Sequence, residues 1–80
     1  MDYRACIQAG LDYIEEHLKD ELTAETLAGI VGFSPYHYYR VFQAYVGKPV
    51  MEYVRCRRLA HAAVELTQGR RILDIALDYG

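Results

Sequence analysis

The chain has 80 residues, 52% of them apolar and 25% charged, with a formal net charge of −2; a length of this kind supports one hydrophobic core and excludes two domains. Eight tyrosines and two phenylalanines, against two prolines and six glycines, carry too much apolar surface for a disordered chain. No window offers the roughly eighteen uninterrupted apolar residues of a membrane span, and MDYRACIQAG has no basic stretch leading into a long apolar run, so the expected location is the cytoplasm, away from membranes.

Charge is unevenly distributed. Residues 1–33 hold seven acids and two bases, net −5; residues 34–71 hold seven bases and two acids, net +5; residues 72–80 add two acids. A local patch sets the local field, so the middle segment points to an anionic partner, with solvated helix faces as the plainer alternative. Cys6 and Cys56 stand far apart without a CxxC spacing and read as reduced, partly buried small hydrophobes.

Between the glycines and prolines the apolar spacing is helical throughout, which predicts five helices. The first runs over about 2–18, with Ile7, Leu11, Ile14 and Leu18 on one stripe and Gly10 weakening it slightly. Thr23 caps a second helix that reaches about Val31, buries Leu27, Ala28 and Val31, and stops at Gly32. Ser34 and Pro35 supply a cap and a first-turn proline for a third helix, which ends at Val46 before Gly47. Its spacing turns Tyr38, Val41, Phe42 and Tyr45 inward and leaves Tyr36, His37, Tyr39, Arg40 and Gln43 outside. A fourth helix over about 50–68 is expected to bury Met51, Val54, Leu59, Ala62, Ala63 and Leu66, with Arg55 and Arg57 facing elsewhere. A fifth begins at about Leu73 and stops at Gly80.

A short helix, a glycine turn and a capped helix with an aromatic and basic outer face make a helix-turn-helix, whose second helix is shaped for the major groove. The same outline is common in helical bundles, which leaves open a helical protein–protein interaction module that uses the tyrosine-rich face. Phosphate anchoring in the first reading falls to the helix N-termini, Ser34, Lys48 and Arg55. Enzyme motifs are missing: the chain has no Gly-rich phosphate loop, GxSxG or HExxH, and His17, His37 and His61 fall on separate helices with no acid at a site-forming spacing. Cys56 and His61 point to different sides of one helix, so neither a metal nor another cofactor is expected.

The stretch GFSPYHYYRVFQAYVGKPVMEYVRCRRLAHAAVELTQG, followed by ILDIALDYG, closely resembles the DNA-binding domain of the AraC/XylS family of bacterial transcription regulators. The resemblance rests on G-F-S before the third helix, Phe42, Gly47, Tyr53, the Arg58-Leu59 pair with Ala62, and the I-x-D-I-A-x-x-Y-G stretch from Ile72. It implies an all-α, homeodomain-like helical bundle in which two helix-turn-helix units are joined by a long linker helix. Here residues 1–48 would be the first unit, 49–69 the linker helix and 70–80 the opening of a second unit, so a truncated DNA-binding piece is expected. Double-stranded DNA is the implied partner, RNA polymerase a further candidate, and an effector would belong to a domain not present here.

Carried over by position, base reading falls on Tyr36, Tyr39 and Arg40, with His37 and Gln43 flanking. Arg40 can give a bidentate pair to guanine, and the tyrosines can offer rings to thymine methyls or hydroxyls to phosphate. The two exposed rings could equally pack on a neighbour. Arg58 is implied to be structural, its stem packing between Val54 and Ala62, while Arg70 and Arg71 suit a solvated loop. With one recognition helix, weak binding of low sequence preference is expected, and Leu73, Ile75, Ala76 and Tyr79 of the last helix are expected to be left exposed.

Overall fold

The computed structural model describes residues 2–80 and contains α1 (Tyr3–Glu16), α2 (Ala24–Ile30), α3 (Pro35–Val46), α4 (Val50–Thr67) and α5 (Ile72–Tyr79). Three of the helix starts are set by local side-chain chemistry. Asp2, Thr23 and Ser34 each stand in extended backbone and accept the backbone N–H three residues on, from Ala5 at 3.2 Å, Thr26 at 3.1 Å and His37 at 3.2 Å. Each bond satisfies one of the orphan donors of a first turn. The starts of α4 at Pro49 and α5 at Arg71 have no side-chain cap. The all-α reading with five helices stands, and among the described residues no helix is long and apolar enough to cross a membrane.

The core lies between α1, α2, α3 and the first turns of α4. Ile14, Leu27, Tyr38, Phe42, Val50 and Val54 have under 2% exposure at its centre, surrounded by Ile7, Leu18, Leu22, Ala24, Ala28 and Phe33. Phe42 sits 5.8 Å from the Tyr38 ring and edge-on to Tyr53 at 5.7 Å, within the favourable range for aromatic pairs.

The structure corrects several expectations. α1 stops at Glu16, two residues short of Leu18, which is buried beyond the helix in a turn where the Asp20 N–H donates to His17 O at 3.0 Å. The Arg58 guanidinium holds that turn, donating to Leu18 O and Asp20 O, each at 2.9 Å. Val31 is half-buried after α2 ends at Ile30. Tyr45 lies on the inward line of α3 but is exposed, because at the last turn the core wall is α4, entered through Val50 and Val54, with Val46 packed against it.

α4 departs most from expectation. Of the six residues expected inside, Val54 is buried and Ala62 half-buried, whereas Met51, Leu59, Ala63 and Leu66 are exposed. The 18-residue helix outruns the bundle it packs on, and the molecule measures 44 × 19 × 16 Å. α5 begins one residue before the expected Leu73 and docks on α4. Its Leu73 and Ala76 are exposed as expected, but Ile75 is buried and Tyr79 is half-buried against the core. Both cysteines are free thiols; Cys6 is half-buried and Cys56 exposed.

Gly10 acquires a reason that its sequence position does not disclose. A Cβ there would stand 2.6 Å from the Tyr38 hydroxyl, which is buried and has no hydrogen-bond partner among the described residues. Burial pushes the Tyr38 phenol up to about 12. Gly10→Ala should therefore cost a net of about 1 to 2 kcal/mol, because overpacking against a fixed ring exceeds the gain in helix propensity. Tyr38→Phe removes the atom in the way along with an unsatisfied polar group. Urea denaturation of the two single variants and the double should show Gly10→Ala destabilising alone and neutral or better when combined with Tyr38→Phe; a penalty equal in both backgrounds would place the clash elsewhere.

Candidate nucleic-acid interface

The turn between α2 and α3 positions this face. Gly32 has φ 77°, a left-handed conformation that side-chain-bearing residues adopt at a cost. It lets the Phe33 N–H return to Ala28 O at 2.9 Å while the Gly32 N–H donates to Gly29 O at 3.2 Å, closing α2 in a Schellman-like end. Phe33 is buried at 8% exposure and anchors the turn, and Ser34 then caps α3.

With Tyr38 and Phe42 fixed inside, the opposite side of α3 is fixed outside. Tyr36, Tyr39, Arg40 and Gln43 recur at helical spacing and all are exposed, Tyr36 at 69% and Tyr39 at 42%. α3 carries Arg40 and His37 but no Asp or Glu. Arg40 Nη1 donates to the Tyr36 hydroxyl oxygen at 2.9 Å, and the guanidinium carbon lies 5.6 Å from the Tyr36 ring centre. Ser34 is exposed at the N-terminus of α3, where the helix dipole and free N–H groups favour an anion.

The other expected site residues lie apart from this stripe or are engaged in packing. His37 is half-buried, stacked on Phe33 with ring centres 4.6 Å apart and edge-on to Tyr3 at 5.8 Å. Its Nε2 is 3.5 Å from the Tyr3 hydroxyl, so its ring braces the N-terminal turn of α3 against α1. Lys48 is half-buried just beyond Gly47. Arg55 is exposed and borders the groove between α4 and α5, together with Leu59, Ala62, Leu66, Ile72 and Ile75. Tyr45 adds a third exposed tyrosine to α3 at 51% exposure.

Much of the positive charge of the middle segment is used inside the chain. Arg57 pairs bidentately with Glu15, and His61 Nε2 lies 3.0 Å from the same carboxylate. The Arg57 hydrogen bond holds the Glu15 carboxyl below its usual range, with His61 adding to it against the opposing effect of burial. Arg70 binds Asp78 at 2.6 Å and Glu65 at 2.9 Å, and Lys19 meets both carboxylates at 3.3 Å. Arg58 is bound to carbonyls of the turn after α1. Glu15 of α1 is thus tied to Arg57 of α4, while Lys19 and Arg70 together bridge Glu65 of α4 to Asp78 of α5. Of the seven bases in the middle segment, Arg40, Lys48, Arg55 and Arg71 stay outside these ties. Sequence spacing could not find the pairs that cross between helices distant in the chain, because Glu15 and Arg57 are 42 residues apart and Lys19 and Glu65 are 46.

A short helix, a left-handed glycine turn and a capped helix with an exposed polar and aromatic stripe define a helix-turn-helix DNA-binding domain. Residues 27–80 match a family described as a helix-turn-helix domain. The chain is 41% identical over 80 residues to the uncharacterized HTH-type transcriptional regulator YbfP of Bacillus subtilis, a match covering 99% of this chain and 27% of that protein. It is 38% identical over 81 residues to the regulatory protein SoxS of Salmonella typhimurium, covering 100% of this chain and 76% of SoxS. To the right origin-binding protein of Escherichia coli it is 39% identical over 80 residues, covering 99% and 28%. The chain therefore spans about a quarter of the length of YbfP and of the right origin-binding protein, and about three quarters of SoxS. It belongs to the AraC/XylS family of helix-turn-helix transcription regulators.

Proposed function

We propose that this DNA-binding domain reads duplex DNA by laying α3 in the major groove, with Tyr36, Tyr39, Arg40 and Gln43 toward base edges and His37 bracing the start of the helix. The observation that carries this is the exposed stripe itself: four groups capable of hydrogen bonding, at helical spacing, opposite a buried stripe and on a helix without a carboxylate. Arg40 is the base reader, through a bidentate pair to guanine O6 and N7. Ser34 with the α3 N-terminus, Lys48 and Arg55 hold phosphates and set the register.

In this reading residues 1–48 are one helix-turn-helix unit, 49–69 a linker helix and 70–80 the opening of a second unit. Support comes from α4, which leaves the first core after Val54 and carries α5 on its far part. RNA polymerase is a further partner, and an effector, where the regulator has one, binds outside these 80 residues. The domain acts in the cytoplasm by sequence-specific binding, not by catalysis.

Salt dependence tests the reading. With a few cations facing phosphate, the logarithm of the association constant should fall against the logarithm of salt concentration with a slope between about −2 and −4. Non-specific dissociation constants at physiological salt should be of order 10⁻⁴ to 10⁻⁶ M. Fluorescence anisotropy with a labelled duplex measures both. A salt-independent signal, or none, would turn the tyrosine-rich face into a protein-docking surface.

A further inference from the structure

Within the exposed stripe of α3, Arg40 is already held. Its Nη1 donates to the Tyr36 hydroxyl oxygen at 2.9 Å, and its guanidinium carbon stands 5.6 Å from the Tyr36 ring centre. Side chains on a helix lean toward its N-terminus, so the Arg40 stem runs back over the first turn of α3. That end of a recognition helix is the one that meets base edges. The contact uses one of the five guanidinium N–H donors and leaves four for a base. No carboxylate on α3 competes for the guanidinium.

A free arginine must surrender several rotatable bonds to place its fork on guanine, and one already restrained surrenders fewer. We propose that Tyr36 is a positioning residue whose hydroxyl holds Arg40 in a guanine-reading orientation, so that the two side chains act as one specificity element for a single G·C pair. The inference rests on α3 being the groove helix, and it commits the Tyr36 hydroxyl oxygen to Arg40 instead of to the DNA backbone. Tyr36 thereby governs sequence preference, while non-specific affinity stays with the phosphate contacts.

Duplexes enriched by the full chain from a randomised pool at low salt supply a preferred site, whose base pairs are then changed one at a time. Wild type, Tyr36→Phe, Arg40→Ala and the double variant are titrated against this set. Tyr36→Phe keeps the ring and removes only the hydroxyl. It should reduce discrimination at the pair identified by Arg40→Ala by about three- to tenfold, with non-specific affinity held within about twofold. In the Arg40→Ala background, Tyr36→Phe should have no further effect. Equal losses in both backgrounds, or unchanged discrimination in Tyr36→Phe, would overturn the coupling while leaving α3 in the groove. A pool that enriches nothing, or an Arg40→Ala chain with wild-type preference at every pair, would overturn the groove reading and the coupling with it. The restraint is also measured without DNA: rotation of the Arg40 guanidinium, followed by nitrogen NMR, should be slower in wild type than in Tyr36→Phe, and equal rates would overturn it.

Discussion

Phe42→Ala should lower the stability of this domain by about 3 to 5 kcal/mol, the usual cost of emptying a buried aromatic site. Phe42 has no exposed surface and lies between Tyr38 and Tyr53, with ring centres 5.8 and 5.7 Å away. Truncation strips packing from both rings and leaves a void that the fixed helices cannot close. Small domains hold only about 5 to 15 kcal/mol in total, so the variant should melt tens of degrees lower or fail to fold. Thermal and urea denaturation followed by circular dichroism measures the loss. Tyr39→Ala on the opposite face serves as the control and should lie within about 0.5 kcal/mol of wild type. An unchanged melting temperature for Phe42→Ala would mean that α3 is rotated from the orientation described, and its outer face would have to be reassigned.

Arg40→Ala should leave the fold intact and cost about 1 to 3 kcal/mol of binding to the preferred duplex, with relaxed preference at one base pair. Arg40 is exposed and its hydrogen bond runs to Tyr36 on the same helix, so its removal opens no cavity and strands no buried partner. Position-by-position substitution of the duplex distinguishes the roles that an arginine can play. A loss confined to one pair marks a base contact, whereas a loss equal across all sequences marks a phosphate contact and would transfer base reading to Gln43 and the tyrosines. Wild-type affinity for every duplex would remove α3 from the groove.

The orientation on which both results depend was largely legible in the sequence, because it is written at short range. Ser34 and Pro35 start α3, Gly47 ends it, and the four-residue spacing of Tyr38 and Phe42 selects its inner side. A cap, a turn glycine and a helical period each act within one or two turns, so neighbouring residues suffice to determine them. The exposed set Tyr36, Tyr39, Arg40 and Gln43 follows as the complement of the inner side. His37 falls between the two sides; it stacks on the nearby Phe33, but its edge-on contact with Tyr3 depends on α1, which the sequence does not place beside it.

The chain by itself thus determined five helices, the caps of two of them at Thr23 and Ser34, the glycine turn between α2 and α3, and the side of α3 that faces solvent. Tertiary structure decided how far each apolar face is covered: the period of α4 marks Leu59 and Leu66 as one side of a helix, but they are exposed because the bundle ends before reaching them. It decided the use of charge as well, tying Arg57 to Glu15 and Arg70 to Glu65 and Asp78, and giving Arg58, whose structural role the resemblance implied, the Leu18 and Asp20 carbonyls as partners. It also gave Gly10 its place beneath the Tyr38 hydroxyl. The physical reason is common to all three: periodicity and capping are properties of one helix, whereas coverage, ion pairing and close approach depend on which helices meet, and most of those partners, such as Glu15 with Arg57 or Leu18 with Arg58, lie tens of residues apart in the chain.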